Sequence, residues 1–349
     1  MKDRSIYFLT IGEIGYSRSW NYFVGVSKIR VTAEFVKLDP KRLIKSFVTL
    51  KKRTSKTDVF IVMSPSHYLV PFAKIFLGKS TYLDAGWSLF EGSILTRRQL
   101  GFMGTNIIKA YFIDLISSFF AKKIILESEA QKVFYCKLFL VRQKKCSVVY
   151  TGIDEEQFKS NTQFQTPMDL FNNSKIVLYR GKYTAEAGLE VLAKASKLLS
   201  TQDITFWVYS PGIPKNLEFS SNTIVINTFV DSKQNLAKVY SEARLTLGQL
   251  SNHTRLKRTI PHKAYESAFL SKPYLSARTK GILELFVEDR EIICFNPGEA
   301  QDLANKIKMF FSNSSEYEKI GINMKKKYDS DLSQSRLVAK FIGVVEGEL

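Results

Sequence analysis

Twice along this chain, short apolar runs alternate with segments whose apolar residues recur at helical spacing. That double alternation constrains the fold more than any other feature. Residues 5–11, 57–64, 79–86, a run near 124, and 146–154 read as strands ending in small or polar residues. Segments 105–123 and 130–142 read as helices between them. A polar stretch, 159–173, suits a linker, and the alternation then restarts. Its strands are 174–182, 204–212, 223–230, 245–250, 272–277 and 291–297, and its helices 189–200, 259–270, 300–311 and 335–348. Near-continuous apolar strands alternating with helices belong to parallel sheets covered on both faces. The expected fold is therefore α/β, with two successive doubly wound, Rossmann-like domains at 1–154 and 155–334. Such sheets place ligands at the carboxyl ends of their strands.

The length, 349 residues, suits two domains of ordinary size. Three cysteines (Cys136, Cys146, Cys294) form no CxxC and no disulfide framework, which points to a reducing, cytoplasmic setting. The three histidines (His67, His253, His262) have no metal-ligand spacing, so no built-in metal is expected. The first residues combine charges with a short apolar run and read as neither signal peptide nor membrane span. The net charge of +18 is uneven: 25 Lys and Arg against 12 Asp and Glu up to residue 155, then 26 against 21. A basic N-terminal half fits nucleic acid, an anionic membrane surface, a polyanionic substrate or a plain solubility charge.

The densest chemistry lies in 258–277, RTIPHKAYESAFLSKPYLSA. A Pro opens a helix on which Lys263 and Glu266 share one face near the N-terminus. That placement suits a ligand bearing both hydroxyls and phosphates. A solvated Glu–Lys pair would have the same spacing. The run resembles the nucleotide-binding helix of GT-B glycosyltransferases of the GT4 type, P-x-K-x-x-E-A-x-A-x-G-K-P. There a Glu at the place of Glu266 accepts hydrogen bonds from ribose hydroxyls, a role open to a carboxylate.

Other segments extend the likeness. In 179–188, YRGKYTAEAG, Arg180 and Lys182 fall in a loop after a strand, where two cations would hold a diphosphate. The family pattern is G-R-x-x-x-x-K-G; aligned on Gly188, Lys182 takes the Arg place, Ala187 takes the Lys place, and Arg180 supplies the missing cation. Residues 148–158, VVYTGIDEEQF, resemble the segment joining the family's two domains, with Thr151 and Gly152 lining the cleft. Ser128, at a strand-to-helix junction, reads as an N-cap. In 278–286 only Gly281 and Glu284 match the family's G-G-I/V-x-E loop beside the donor's phosphate and sugar; Lys280 replaces the first Gly, to reach phosphate or to face water. The family's second, sugar-binding Glu is here Arg258. An acidic donor sugar is one rationalisation.

In the N-terminal half, the Gly12–Gly15 loop follows the first strand, where family acceptor and donor meet. Asp84 ends a strand before Trp87 and Phe90, aromatics fit either to stack on sugars or to pack in a core. His67 follows another strand and reads as packed or capping rather than reactive. Segment 105–123, with Arg97 and Arg98 upstream, reads as a core-facing helix, with an interfacial helix as the alternative.

The resemblance implies two Rossmann-like domains facing a cleft, the last helix packing back onto the first. The implied enzyme is a retaining, metal-independent hexosyltransferase. It needs no cofactor, because the nucleotide sugar is its substrate. Lys182 and Glu266 are its expected catalytic residues. Arg180, Lys263, Arg258, Gly281, Glu284, Gly12, Gly15, Asp84 and Gly152 are its expected substrate-binding residues. The acceptor would be a glycan or a lipid-linked or cell-envelope molecule, with peripheral contact at the inner face of an anionic membrane and no nucleic acid. A nucleotide-sugar epimerase of the same fold and a basic nucleic-acid-binding protein are the alternatives.

Overall fold

The computed structural model describes residues 4–347 apart from Tyr16, 30–31, Lys79, 93–104, 159–162 and 168–174. Most of the stretch expected as a linker, together with Arg97 and Arg98, lies outside the described residues. The chain forms two compact units, one of Met1–Asp154 with Ser333–Leu349 and one of Glu155–Leu332.

The first unit contains a six-stranded sheet in the order β2-β1-β3-β4-β5-β6. Its strands are β1 (Ile6–Thr10), β2 (Ala33–Lys37), β3 (Val59–Met63), β4 (Thr81–Gly86), β5 (Ile124–Leu126) and β6 (Cys146–Val148), all paired parallel. Helices α1 (Ser17–Lys28), α2 (Leu43–Lys52), α3 (Leu69–Leu77), α4 (Thr105–Phe120) and α5 (Glu129–Leu138) connect them. Every residue of β1 is buried, because both of its faces are covered. Ile6 and Phe8 enter one core with Tyr22 and Val26 of α1. Tyr7 and Leu9 enter the other with α2 and α3. The C-terminal helix of the chain, Gln334–Glu346, closes the first of these cores: Phe341 stacks on Tyr22 with ring centroids 4.5 Å apart. Removing that ring would cost about 3–5 kcal/mol, as for other fully buried aromatics.

The second unit repeats the plan. Its strands are β7 (Ile176–Arg180), β8 (Thr205–Tyr209), β9 (Thr223–Ile226), β10 (Leu245–Leu247), β11 (Tyr274–Ala277) and β12 (Ile293–Phe295). They lie parallel in the order β12-β11-β10-β7-β8-β9. Helices α6 (Leu189–Leu198), α7 (Lys233–Glu242), α8 (His262–Phe269), α9 (Lys280–Leu285), α10 (Ala300–Ser312) and α11 (Ser314–Lys327) complete this unit, which makes Gln334–Glu346 helix α12.

Two parallel sheets with flanking helices are the fold class expected from the sequence. One strand, β2, had no apolar run to announce it. It is an edge strand, mostly half-buried, reading AEFVK, so its pattern is weaker than that of the central strands. In each sheet the strand order reverses once, between β1 and β3 and between β7 and β10. Chains leaving such neighbouring strands diverge to opposite faces and open a crevice at their carboxyl ends. Among the described residues no helix is long and apolar enough to cross a membrane.

Candidate functional site

At the β7/β10 reversal, the loop after β7 meets α8. Helix α8 begins after Pro261 and is buried on nearly every side, Lys263 and Glu266 included. Glu266 is fully buried. A carboxylate in that position must be paired, and four groups surround it. Its Oε2 accepts from the Arg180 guanidinium at the end of β7 and from the Tyr240 hydroxyl of α7 at 2.9 Å. Its Oε1 has looser partners, Lys233 Nζ at 3.5 Å and His262 Nδ1 at 3.9 Å. Burial alone would raise the Glu266 carboxyl. The Arg180 charge, with the nearby His262 imidazole and the Lys233 charge, outweighs burial and holds it well below the usual carboxylate range. The Tyr240 phenol moves the other way, raised by burial and by the Glu266 charge.

Lys263 lies over the Tyr179 ring, 4.0 Å from its centroid, and donates to the Gly248 carbonyl just past β10 at 3.1 Å. Burial, and then repulsion from Arg180, lower its pKa well below the ordinary lysine value. Arg180 and Lys233 thus pair with one carboxylate, and Lys263 lies one turn before it on the same helix. Arg180 Nε is buried and has no hydrogen-bond partner among the described residues. Beside it lies a cavity of about 560 Å³, lined by Arg180, Tyr209, Phe229, Asp231 and Lys233 among others. That volume is in the range of small-molecule sites.

The loop after β7 is held in place from below. Gly188 has φ +68°, and a Cβ there would fall 2.5 Å from the Ser251 backbone N. The loop also anchors through Glu186, which accepts from Arg255 at 3.0 Å. Burial would raise that carboxyl, but Arg255 keeps it lowered.

Of the expected residues, Arg180, Lys263 and Glu266 come together. Lys182 lies exposed two residues beyond Arg180 in the same loop. Arg258 and Gly281 meet at a second point. A Cβ on Gly281 would lie 2.6 Å from the Thr259 carbonyl and 3.1 Å from the Arg258 carbonyl carbon, so only Gly lets α9 approach that backbone. Glu284 is half-buried one turn further along α9, and Lys280 is exposed. Lys233, Tyr240, His262 and Phe229 were missed. For Lys233, Tyr240 and Phe229 the signal was the exit from β9 into α7, where Ser232 caps the helix and accepts from the Asn235 N–H at 3.0 Å, whereas His262 opens α8 itself.

In the first unit Asp84 is fully buried, its carboxylate gripped by Arg18 Nε at 2.9 and 3.1 Å and by Arg18 Nη2 at 2.9 Å. Burial raises its pKa, and Arg18 opposes the rise. Arg18 also donates to the Val149 carbonyl at 2.9 Å and to Thr151 Oγ1 at 3.3 Å, which ties Asp84 to the chain just before Gly152. Gly12 donates to Thr10 Oγ1 at 3.0 Å, and that hydroxyl bonds Ser66 Oγ at 3.1 Å across the β1/β3 reversal. Gly15 lies in open space. Ser128 caps α5 through the Gln131 N–H at 2.9 Å, and His67 is fully buried. Phe90 packs against the core around α3 and α5.

The fold has counterparts among solved structures. Residues 190–342 match the family described as glycosyl transferase-like. The fold is that of the GT-B glycosyltransferases. Anabaena HepE, solved with UDP, aligns with a TM-score of 0.71 at 13% identity over 99% of this chain and 100% of its own. Sucrose-phosphate synthase from Thermosynechococcus elongatus aligns with a TM-score of 0.79 at 10% identity over 99% of each chain. A glycosyltransferase from Rickettsia africae aligns at 0.70 and 15% identity, again over 99% of each. No curated protein matches the chain. The resemblance carried by residues 258–277 is thus borne out at the level of the GT-B fold.

Proposed function

We propose that this GT-B chain is a glycosyltransferase of the GT4 type that draws a hexosyl group from a nucleotide sugar. The observation that carries this reading is the pairing of Arg180 and Lys233 with the buried Glu266, close to Lys263, where Arg180 and Lys233 also line a cavity beyond the ends of β7, β8 and β9. HepE has been solved with UDP-glucose and with UDP and glucose, which makes UDP-glucose the first donor to try.

Glu266 Oε1, with only long contacts to Lys233 and His262, is the oxygen able to take a ribose hydroxyl. Oε2 is already engaged by Arg180 and Tyr240. The unpaired Arg180 Nε offers a hydrogen bond to phosphate. Lys263, and Lys182 from its exposed place in the loop, would offset charge on the diphosphate as it leaves. Phe229, more than half exposed on the cavity wall, offers a flat face to the base. Helix α7 adds its N-terminal dipole to the same cavity. Transfer would proceed with retention, without a metal or other cofactor, the departing phosphate taking the acceptor's proton. Arg258 would face the donor sugar, with Gly281 and Glu284 beside it. In the first unit the Gly12–Gly15 loop and Gly152 would serve the acceptor, a glycan or lipid-linked molecule, with the buried Asp84 holding the chain before Gly152 through Arg18. The enzyme would work in the cytoplasm, peripherally at the inner membrane face.

The test is transfer or hydrolysis across a panel of nucleotide sugars, read by mass spectrometry. Release of nucleotide from at least one donor is expected, with loss of at least about tenfold in Glu266→Ala, the scale of one charged hydrogen bond. Activity untouched by Glu266→Ala would overturn the site. Salt-dependent binding of DNA or RNA without any effect of nucleotide sugars would favour the nucleic-acid reading.

A further inference from the structure

Helix α4 carries two apolar faces, and among the described residues only one of them packs into the core. Tyr111 and Leu115 pack against the core beneath the sheet, and Asp114, Ser117 and Ser118 are buried with them. The other face presents Ile108, Phe112, Ile116 and Phe119 at helical spacing, exposed by 59, 52, 45 and 78%. A water-facing stripe on a surface helix normally carries polar residues. Nearby, Leu140 is 90% exposed and sits at φ +53°, a left-handed conformation that disfavours a branched side chain. A cavity of about 620 Å³ joins the two features, lined by Leu115, Phe119 and Leu140 together with Lys122, Arg142 and Lys144. No described residue lining it is acidic. Between residues 105 and 145 there are eight Lys and Arg against three Asp and Glu. Two of those acids, Asp114 and Glu127, are buried.

We infer that this face, α4 with the 139–145 loop, docks on a bilayer of anionic phospholipid. The exposed side chains enter the acyl region, and the Lys and Arg rim meets the phosphates. Nucleic acid would use the cations and leave the four-residue apolar stripe in water. The sequence alone favoured a core role for this helix. The structure shows that it has a core face and an exposed one, so the basic charge of this unit gains a definite apolar centre. The inference gives the proposed peripheral contact a surface but needs no part of the donor reading.

The experiment is sedimentation of the full chain with phosphatidylcholine vesicles, with and without phosphatidylglycerol. Binding is expected only with phosphatidylglycerol. Phe112→Ser with Phe119→Ser, and separately Lys122→Glu with Lys144→Glu, should each lower partitioning at least about tenfold, while melting stays unchanged. A charge control on the second unit, Lys308→Glu with Lys319→Glu, should leave partitioning intact. No binding to anionic vesicles, or binding indifferent to the Phe pair, would overturn the inference. So would an oligomer in sedimentation velocity that the Phe pair dissolves. The assay contains no nucleotide sugar, so its failure leaves the transferase reading standing.

Discussion

Two buried carboxylates, Glu266 and Asp84, each meet an Arg guanidinium, yet their surroundings give them different work. Asp84 is gripped by Arg18, which is itself buried and fastened to the backbone at Val149. Arg18→Met should leave an uncompensated buried charge and destabilise the first unit by about 3–5 kcal/mol, seen as a lower midpoint in calorimetry. An unchanged midpoint would show the pair to be dispensable. Glu266 keeps one loosely held oxygen, and its partner Arg180, about one-fifth exposed, lines a cavity together with Lys233. Its depressed pKa means that its stabilising interactions are complete above the ordinary carboxylate value. They are lost only as pH falls well below that value. Donor binding should therefore show no Glu266 titration between about pH 5 and 8, measured by calorimetric titration.

Asp114 shows the opposite sign. Burial pushes its pKa up to about 7, against hydrogen bonds from the Phe90 and Leu89 N–H groups, with His67 Nε2 3.8 Å away. Burial also lowers His67 to about 4, so both groups are neutral near pH 5 to 6. Between about pH 4 and 7 the folded state keeps an Asp114 proton that the unfolded chain has lost, so this group's contribution falls as pH rises. Asp114→Asn removes that dependence. The variant should gain on the wild type by up to about 4 kcal/mol from pH 4 to 8 in denaturant unfolding. A constant difference across that range would contradict the assignment.

At the scale of elements, legibility followed burial and local chemistry. Central strands buried on both faces, such as β1 and β3, announce themselves as apolar runs, while the edge strand β2 does not. Helix α8 was readable because its Pro, Lys and Glu are spaced as a site requires. What surrounds Glu266 was not, because Arg180 comes from the end of β7 and Lys233 and Tyr240 from α7, and only the sheet order unites them with α8. Arg258 and Gly281 read as ligand contacts in sequence; in space, Gly281 also serves a backbone packing need. Gly281→Ala should cost about 1–3 kcal/mol through overpacking against Thr259, measurable by thermal unfolding. The end of α8 offers the reverse case. Ser271 adopts φ +55° where the family run has Gly. Ser271→Gly should relieve left-handed strain and stabilise by up to about 1 kcal/mol. A lower melting temperature would contradict this account of the cap.

At the scale of the whole molecule, a parallel sheet with one order reversal occurs in each unit, but the two crevices are furnished differently. The β1/β3 reversal holds a hydroxyl network, Thr10 with Ser66. The β7/β10 reversal sets Arg180 and Lys233 on one buried carboxylate, with Lys263 over Tyr179 beside them. The net charge and its excess in the N-terminal half were plain in the sequence. The exposed stripe on α4 was not, because helical spacing alone does not separate a core face from a solvent face. The donor site is the central claim, and thermal melting of the full chain against a panel of nucleotide sugars, UDP-glucose first, tests it most directly. At a hundredfold excess over Kd, a bound donor stabilises by about 2.7 kcal/mol, a rise of several degrees. At least one nucleotide sugar should give that rise, and Glu266→Ala should abolish it. Melting indifferent to every nucleotide sugar, or an equal rise in Glu266→Ala, would contradict the account.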